Sequence, residues 1–574
     1  MRGSSRISTH STYQVATTIA VVGAAALIFW TSTARPMWVD EQMLALNVRD
    51  RPFLGLAGPL WLDQSAPLGW LALEHLMMVS LGTGERAVRL LTVLFGIGTL
   101  VTAVWIGRRW MSPLGAAILV ALCAFGEWII FFTLELKHYS ADTFGALFLP
   151  ALAAWAFDAD RSTLGVNQAA RGNSRQFRRR VTVWWLCAAV CLWFANGALF
   201  VAPGCAAVLL AKCRRRDAPR FLASGLVWLA SFALCYTLVL RHALENVYLK
   251  TYWAFAFPPV ADGVRATLGW LAAQARPFAT KPVGSGLPML FWAAYAAGMT
   301  VAIMRRSAFA VMFALVPLSA LALALLHIVP TFERLALWFV PSLYVGVALC
   351  GDAAVWLGRC GFQRHVSAAR FGALVTAAAV LGVVVLAVCL GVIRRGVFAL
   401  EHRPRSNYGL DDRASVRAAL EVHRPGDALL STHYGLAAIW WYGGLNVADA
   451  DRSGRLPDGT PIFEIRYVPL RDECSRWKTE MDSALEGRSR IVAYLGFRMN
   501  VEPPGFDTFA LEELGRRAAL VAYKEYAEES RVAVFDLKKP GGLPLQIPSR
   551  PGVPPDPSSR PPAGCISITP ARRW

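Results

Sequence analysis

Apolar runs of about 20 residues recur along the first two thirds of the chain, separated by short polar segments. A helix of that length crosses the hydrocarbon core of a bilayer. The pattern predicts eleven transmembrane helices, and therefore a polytopic α-helical membrane protein. The segments are residues 14–33, 87–107, 113–132, 140–157, a helical hairpin at 181–211, 221–240, 286–304, 307–326, 332–350 and 371–392.

The charged residues between the apolar runs predict the orientation of these helices. Lys and Arg collect on cytoplasmic loops, and arginines cluster between residues 158 and 180, at 212–216 and at 305–306. These clusters predict that the N-terminus lies inside the cell. With eleven spans the C-terminal region is then outside, together with two long loops at residues 34–85 and 241–285.

Residues 1–393 form the predicted membrane domain, and the hydrophobic pattern of the chain changes after them. Residues 394–540 alternate short apolar stretches with amphipathic ones, which predicts a small extracytoplasmic α/β domain. Strands are expected at 428–431, 490–494, 519–523 and 532–537, and helices at 411–423, 433–442 and 508–518. Residues 541–574 are rich in Pro, Gly, Ser and Arg, and we expect a disordered tail there because few large apolar side chains are available for burial.

Composition agrees with a membrane protein, and the distribution of charge excludes a nucleic-acid-binding function. The chain is 55% hydrophobic and 17% charged, whereas soluble domains are about a quarter charged. Its net charge is +19, but the arginine clusters lie between membrane segments and no nucleic-acid recognition motif accompanies them. Anionic lipid head groups are the expected partners of that charge.

Nine cysteines lie in or beside apolar segments as small hydrophobes, while Cys474 and Cys565 are a possible disulfide pair outside the membrane.

Asp40 and Glu41 directly follow the first predicted span. Charged side chains at a membrane boundary are costly unless they reach water or have a function. A carboxylate in such a place can take a proton from an attacking hydroxyl or bind a divalent cation. Taken alone, the pair is more simply explained as the polar boundary of the first helix.

A second ionisable cluster lies between the third and fourth predicted spans. It consists of Glu135, Lys137, Tyr139 and Asp142. Asp142 begins an apolar helix, where a carboxylate also favours the helix dipole. The predicted topology nevertheless places all four residues on the same membrane face as Asp40, which favours a functional site.

The first outer loop carries a third motif, which contains Asp63, Gln64 and Pro67. Two amphipathic stretches, residues 42–61 and 66–81, are expected to lie at the membrane interface. Pro67 is placed to begin the second of these helices, and Asp63 is a candidate for its N-terminal cap. That structural role does not exclude a second role in binding.

Basic residues on the predicted outer face form the last candidate group: Arg86, Arg89 and Arg334. Lys and Arg normally collect on cytoplasmic loops, so basic residues on the outer face are unusual. Their position suggests a phosphate partner. The alternative is that they snorkel or form ion pairs, as Arg334 can with Glu333. Scattered histidines make a zinc site improbable.

Four motifs occur in a characteristic order. They are Trp-x-Asp-Glu at 38–41, Asp-Gln-Ser-Ala-Pro at 63–67, Glu-Arg-Ala-x-Arg-Leu at 85–90 and Glu-Leu-Lys-x-Tyr-Ser-x-Asp at 135–142. Over about residues 14–350 the chain resembles bacterial membrane glycosyltransferases of the GT-C fold. The nearest branch is similar to protein mannosyltransferases, rhizobial lipopolysaccharide galacturonosyltransferases and lipid A aminoarabinose transferases.

The resemblance implies an inverting transferase in the bacterial cytoplasmic membrane. The donor would be a polyprenyl-phosphate-linked sugar, and the acceptor an envelope glycan, lipid or protein outside the membrane. Asp40, Glu41 and Asp142 match the catalytic positions; Glu135, Lys137, Tyr139, Arg86, Arg89 and Arg334 are assigned to the donor; Asp63, Gln64 and Pro67 belong to the acceptor loop. A divalent cation is possible, but no residues are assigned to it. Met43 stands where aminoarabinose transferases have an Arg, which argues against that lipid A activity.

Two other functions fit a polytopic protein with an outer domain. A transporter or flippase of a lipid-linked glycan would place ionisable residues at the bilayer midplane, whereas these residues cluster at its rim. A non-catalytic envelope assembly protein would use the outer domain to bind a partner, and its acidic pair would be only a helix boundary.

Overall fold

The computed structural model describes residues 13–158, 169–213, 215–305, 307–361, 367–402, 410–448, 454–468, 474–497, 505–526, 530–542, 545 and 565–571. Helices dominate the chain up to residue 402. In chain order they are α1 (Gln14–Ser32), α2 (Val39–Asp50), α3 (Leu68–Leu81), α4 (Leu90–Trp110), α5 (Pro113–Phe125), α6 (Glu127–Thr133), α7 (Tyr139–Phe157), α8 (Ala169–Cys191), α9 (Asn196–Lys212), α10 (Ala218–Cys235), α11 (Arg241–Glu245), α12 (Val247–Tyr252), α13 (Val264–Thr280), α14 (Pro288–Met304), α15 (Ala308–Leu325), α16 (Val340–Gly361) and α17 (Ala368–His402).

Seven helices in this part of the chain are long and apolar enough to cross a membrane, or eight if α5 and α6, which meet at 51°, form one span. This confirms the prediction of a polytopic helical membrane protein. Each of the eleven segments that the sequence predicts as spans is helical. Fewer than eleven segments meet the length and composition of a full crossing. Helices α9 and α14 have 17 residues each, fewer than the roughly 20 that a crossing needs, and α8 carries several arginines.

Helix α2 follows α1 after a short turn and is almost wholly buried. The Trp38 amide donates to the Glu41 carboxylate at 3.2 Å, which forms one half of a capping box at the start of the helix. Nine of the twelve residues of α2 are buried, so the helix lies inside the protein and not on its surface. Asp40 is an exception, and its position next to the cap fixes the direction of its side chain.

Glu41 is the centre of a buried ionic cluster that joins three parts of the bundle. Arg89, at the start of α4, donates from Nε to Glu41 Oε1 at 2.8 Å and from Nη2 to Oε2 at 2.9 Å. Arg35 lies 3.5 Å from the same carboxylate. The amide of Leu136 donates to it at 2.8 Å. Burial alone would raise the pKa of Glu41, but the two guanidinium groups and these hydrogen bonds hold it below its ordinary value.

The chain after α17 forms a six-stranded sheet with flanking helices. The strands are β1 (Ala428–Thr432), β2 (Ile462–Val468), β3 (Arg490–Leu495), β4 (Ala519–Tyr526), β5 (Ser530–Asp536) and β6 (Cys565–Pro570), and the helices are α18 (Asp412–Val422), α19 (Gly435–Tyr442), α20 (Cys474–Leu485) and α21 (Phe506–Gly515). The strand order is β4-β5-β3-β1-β2-β6. Strands β2 and β3 run parallel to β1, and the other pairs are antiparallel.

This α/β domain is attached to α2 through buried polar contacts. Gln42 Nε2 donates to Asp412 Oδ2 at 2.8 Å, and the Tyr494 hydroxyl donates to Asp412 Oδ1 at 2.6 Å. The Met37 amide donates to the hydroxyl of Tyr442 at 2.8 Å. Buried polar atoms with partners on both sides fix one relative placement of the two parts.

A second group of contacts holds the far end of α2 to α19. Arg49 is paired with Asp50 at 2.6 Å and stacks over the Trp441 ring at 4.9 Å. Its guanidinium also donates to the Leu445 carbonyl at 2.5 Å. Asp50 in turn accepts from the Val447 amide at 2.9 Å. The domain therefore contacts α2 near both of its ends.

The α/β domain contains two strands that the sequence pattern did not predict. Strand β2 was missed, and β6 falls within the predicted disordered tail, where Ile566 and Ile568 alternate with polar residues and are buried against β2. An edge strand can form from so few apolar residues because its partner strand supplies the backbone hydrogen bonds. Residues 546–564 lie outside the described part of the chain. The same holds for the side chains of Cys474 and Cys565, the possible disulfide pair.

The Glu41 cluster generates a prediction about stability. Arg89→Met leaves a buried carboxylate without its main partner, a change that costs about 3–5 kcal/mol in the free energy of unfolding. We expect a clear drop in the apparent melting temperature of the purified protein in detergent. Arg86→Met is the matched control, because Arg86 is exposed three residues earlier. Equal melting temperatures for the two variants would contradict a supporting role for the cluster.

The same cluster predicts a pH dependence. The pKa of Glu41 lies below its ordinary value of 4.5 in the folded protein, so the ionised group stabilises the fold above pH 4.5. This stabilisation is lost as the pH falls through the lowered pKa. Thermal unfolding scans between pH 7 and pH 3 should therefore show a steeper acid loss in the wild type than in Glu41→Gln. Parallel curves would argue against ionised Glu41.

Candidate active site

Asp40 lies where three segments distant in sequence meet. Its side chain is 21% exposed, and its Oδ2 atom is 3.2 Å from Nη2 of Arg334. The ammonium of Lys137 is 3.9 Å from the same oxygen. Arg334 belongs to a 3-10 helix, Glu333–Phe339, directly before α16, and Lys137 belongs to the turn between α6 and α7. One partly exposed carboxylate thus has two cations beside it.

Lys137 is held in place by the first long loop. Its Nζ donates to Gln64 Oε1 at 2.6 Å, and the side chain is nearly buried. Burial lowers the pKa of Lys137, the neighbouring Arg334 lowers it further, and the Asp40 carboxylate opposes both effects. Gln64 is in turn tied to its own loop through the Leu62 carbonyl at 3.0 Å. The amide therefore orients the ammonium towards Asp40.

Aromatic rings surround the guanidinium of Arg334. It lies 5.7 Å from the centroid of Trp38 and 5.6 Å from that of Trp253, distances at which a cation interacts with a ring face. Phe332 continues this wall, with its centroid 6.0 Å from Trp253 and 5.0 Å from Phe255. The site is consequently one carboxylate and two cations set within a partly apolar wall.

Asp63, one of the residues predicted for the acceptor loop, connects the two long loops. Asp63 adopts a left-handed backbone conformation, with φ of 52°, and its Oδ1 accepts from Nδ2 of Asn246 at 2.8 Å. Asn246 also caps α12, since its Oδ1 accepts from the Leu249 amide. Pro67 directly precedes α3, where no side chain provides a cap. Asp63 therefore joins the loops and does not cap α3.

The remaining acidic candidates are placed in structural contacts. Asp142 Oδ1 accepts from the Gly197 amide at 3.1 Å at the start of α9, and its Oδ2 is 3.5 Å from Nε2 of His138. Burial, together with the nearby Lys137, lowers the pKa of His138 to about 3, so its imidazole is neutral. Glu135 is buried 3.9 Å from Arg35.

The other predicted donor residues are distributed differently. Glu41 and Arg89 belong to the buried ionic cluster described above. Tyr139 packs its ring against Phe132 and His138, with centroids 5.0 Å apart in each pair. Arg86 is exposed at the start of the turn before α4. The structure thus brings Asp40, Gln64, Lys137 and Arg334 together, and surrounds them with residues that support the backbone.

Sequence reasoning missed the contribution of the α/β domain to this region. Tyr434, the residue directly before α19, lies close enough to Tyr248 of α12 to affect the pKa of that hydroxyl. The ring of Phe497, after β3, lies 6.0 Å from that of Trp38 and 6.4 Å from that of Tyr434. No local pattern could identify these residues, because their role depends on how the domain is docked. The sequence pattern likewise did not single out Arg35, although it lies two residues after the first predicted span.

The charges around Asp40 do not suit a divalent cation. Its two closest charged neighbours are an ammonium and a guanidinium, whereas Mg²⁺ or Ca²⁺ requires several oxygen ligands. In the described residues no group of three or more His, Cys, Asp or Glu side chains is placed to hold a metal ion. Two cations beside a single carboxylate form a better receptor for a phosphate group.

Comparison with known proteins finds similarity at the level of solved structures. No protein-family model matches the chain, and no curated protein matches it. The apo structure of ArnT from Cupriavidus metallidurans is 14% identical, with 92% of this chain and 99% of that chain covered and a TM-score of 0.46. A second structure of that protein contains undecaprenyl phosphate, with 13% identity, coverage of 90% and 97%, and the same TM-score.

Two further solved structures show a similarity of the same order. The oligosaccharyltransferase AglB from Archaeoglobus fulgidus, in complex with an inhibitory peptide and a dolichol-phosphate, is 12% identical over 83% of this chain and 69% of that chain, with a TM-score of 0.46. The mycobacterial arabinofuranosyltransferase AftD is 14% identical over 91% of this chain and 40% of that chain, with a TM-score of 0.45.

Proposed function

We propose that this protein is a membrane glycosyltransferase that moves a sugar from a polyprenyl-phosphate-linked donor to an acceptor of the cell envelope. The observation that carries the proposal is the position of Asp40, 3.2 Å from Arg334 and 3.9 Å from Lys137 at a partly exposed site. A base and a phosphate receptor side by side are the two groups that sugar transfer from a lipid phosphate requires.

The two cations are assigned to the donor phosphate. Arg334 offers a planar guanidinium, which can bind two phosphate oxygens at once. Lys137 adds a point charge that Gln64 holds in place at 2.6 Å. Negative charge grows on the lipid phosphate as it leaves, and fixed cations stabilise that charge better than mobile water does.

Asp40 is assigned to the acceptor. In a single displacement, an acceptor hydroxyl oxygen forms a bond to the anomeric carbon while the bond from that carbon to the phosphate oxygen breaks. The hydroxyl proton passes to Asp40, and the lipid phosphate leaves with the electron pair of the broken bond. The attack comes from the side opposite the leaving group, so the anomeric configuration inverts.

Neighbouring residues are assigned to orientation of the reactants. Trp38 and Trp253 border Arg334, and the partly exposed ring of Trp253 offers a face on which a sugar can stack. Asp63 keeps the first long loop against α12, and Gln64 aims Lys137. Glu41 and Asp142 are assigned to support, since each accepts backbone hydrogen bonds from another segment. The predicted orientation of the helices places the reaction on the extracytoplasmic face of the inner membrane.

A first prediction tests the base. Asp40→Asn keeps the shape of the side chain but removes its ability to take a proton, so we expect sugar transfer to fall about a hundredfold to ten-thousandfold. The assay follows label from a panel of polyprenyl-phosphate-linked hexoses and pentoses into envelope extracts, at equal membrane levels of protein. Asp262→Asn, an exposed carboxylate in the second long loop, is the control and should retain activity.

The same assay separates the rival functions. Unchanged transfer by Asp40→Asn would exclude Asp40 as the base. Movement of an intact lipid-linked glycan, with no sugar transferred by the wild type, would favour a transporter. If the wild type neither transfers nor moves a glycan, while envelope composition changes on its deletion, a non-catalytic assembly role is favoured.

A second prediction tests the phosphate receptor. Arg334→Gln removes one charged partner of the donor, and we expect kcat/KM for the donor to fall about tenfold to a hundredfold. Arg334→Lys should recover part of that loss, because charge is restored without the planar fork. Arg265→Gln, at an exposed arginine of α13, serves as the control. An equal loss in Arg334→Gln and Arg265→Gln would contradict a specific phosphate contact.

A further inference from the structure

A basic cavity lies between α8 and α10, away from the candidate active site. Its volume is about 260 Å³, and it is partly open to the surroundings. Its polar lining includes Arg175, Arg178, Arg179 and Arg220. Asp217 is the one acidic residue among the lining residues in the described part of the chain. Four arginines against one aspartate give the cavity a strongly positive character.

The acidic residue is already engaged within the protein. Asp217 is buried, and Nε of Arg178 lies 3.7 Å from its Oδ1. Arg175, Arg179 and Arg220 are exposed around the opening. Three like charges held together are unfavourable unless an anion or solvent screens them. The cavity therefore has the charge of a receptor for phosphate.

The surface next to the cavity is apolar and faces outward. The two helices pack through Trp185, whose ring centroid is 5.5 Å from that of Phe221. On the other side of the pair, Leu186, Leu222 and Leu226 are 50%, 58% and 63% exposed. Exposed leucines on a helix that crosses a membrane are normally covered by acyl chains. A charged recess bordered by such a face fits an amphiphile with a phosphate head group.

The cavity lies at the end of the bundle opposite Asp40. Arg180, beside the cavity, donates to the Trp155 carbonyl at 2.8 Å near the C-terminal end of α7. Lys137 lies in the turn at the other end of the same helix. Helix α7 has 19 residues and is therefore about 28 Å long. This separation distinguishes the cavity from the proposed donor site.

We infer that the cavity between α8 and α10 binds the phosphate of an anionic membrane phospholipid, with its acyl chains along the exposed apolar faces of the two helices. Basic recesses between membrane helices are suited to such head groups. The inference does not depend on the proposed sugar transfer, since no residue of the Asp40 site takes part in it.

The experiment compares lipid binding by three full-length proteins in detergent, using native mass spectrometry with phosphatidylglycerol, phosphatidylcholine or inorganic phosphate. The first is the wild type, and the second carries Arg175→Gln, Arg179→Gln and Arg220→Gln. The third is the control with Arg359→Gln, Arg370→Gln and Arg394→Gln, which removes three exposed arginines of α16 and α17 outside the cavity. Arg178 is left unchanged because it pairs with Asp217.

We expect the cavity variant to bind phosphatidylglycerol at least about tenfold more weakly than the wild type, and the control to bind it equally well. Wild-type binding of phosphatidylcholine should be weak. The inference would be overturned if both variants lost phosphatidylglycerol binding equally, or if the cavity variant lost none. Displacement of phosphatidylglycerol by millimolar inorganic phosphate would show a site for free anions and overturn the lipid assignment. Arg220→Gln alone, at an exposed position, provides the same comparison if the triple variant does not fold.

Discussion

The contact between Glu41 and Arg89 holds together the part of the molecule on which the candidate site depends. It joins the start of α2 to the start of α4, and the Leu136 amide brings the turn before α7 to the same carboxylate. Asp40 and Lys137 are each one residue from these anchored positions. Because the anchors are buried, their geometry is set by several simultaneous hydrogen bonds and is not free to adapt to a substrate. Asp40 can therefore be partly exposed and yet firmly oriented.

The adjacent carboxylates Asp40 and Glu41 have different structural environments. Successive residues of a helix point in directions about 100° apart, so one side chain can face the interior while the next faces the opening. Glu41 is fully buried and meets two guanidinium groups, whereas Asp40 stays one-fifth exposed and meets Arg334 and Lys137. Each acid thus has cationic partners, but only Asp40 is reachable by another molecule. The arginine that supports the fold and the arginine that faces the site are likewise different residues.

The α/β domain contributes to the same region through α2. Its contacts through Asp412 and Tyr442 fix it on the helix that carries Asp40, and Phe497 packs near Trp38. In the proposed reaction, a domain docked in this way limits which acceptors reach Asp40 without supplying the base. The basic cavity between α8 and α10 lies at the other end of the bundle, and four arginines line it.

The sequence by itself determined the membrane class, the helical segments and most of the strands, because hydrophobic periodicity reports burial locally. It also identified the residues that meet at Asp40, since charged side chains stand out in an apolar chain. Only the tertiary structure separated Glu41 and Arg89, which support the fold, from Asp40, Lys137 and Arg334, which face the site. It also decided that β6 joins the sheet and that Tyr434 and Phe497 border the site. These features depend on which segments meet in space, and pairings between residues hundreds of positions apart leave no periodic signal in a single sequence.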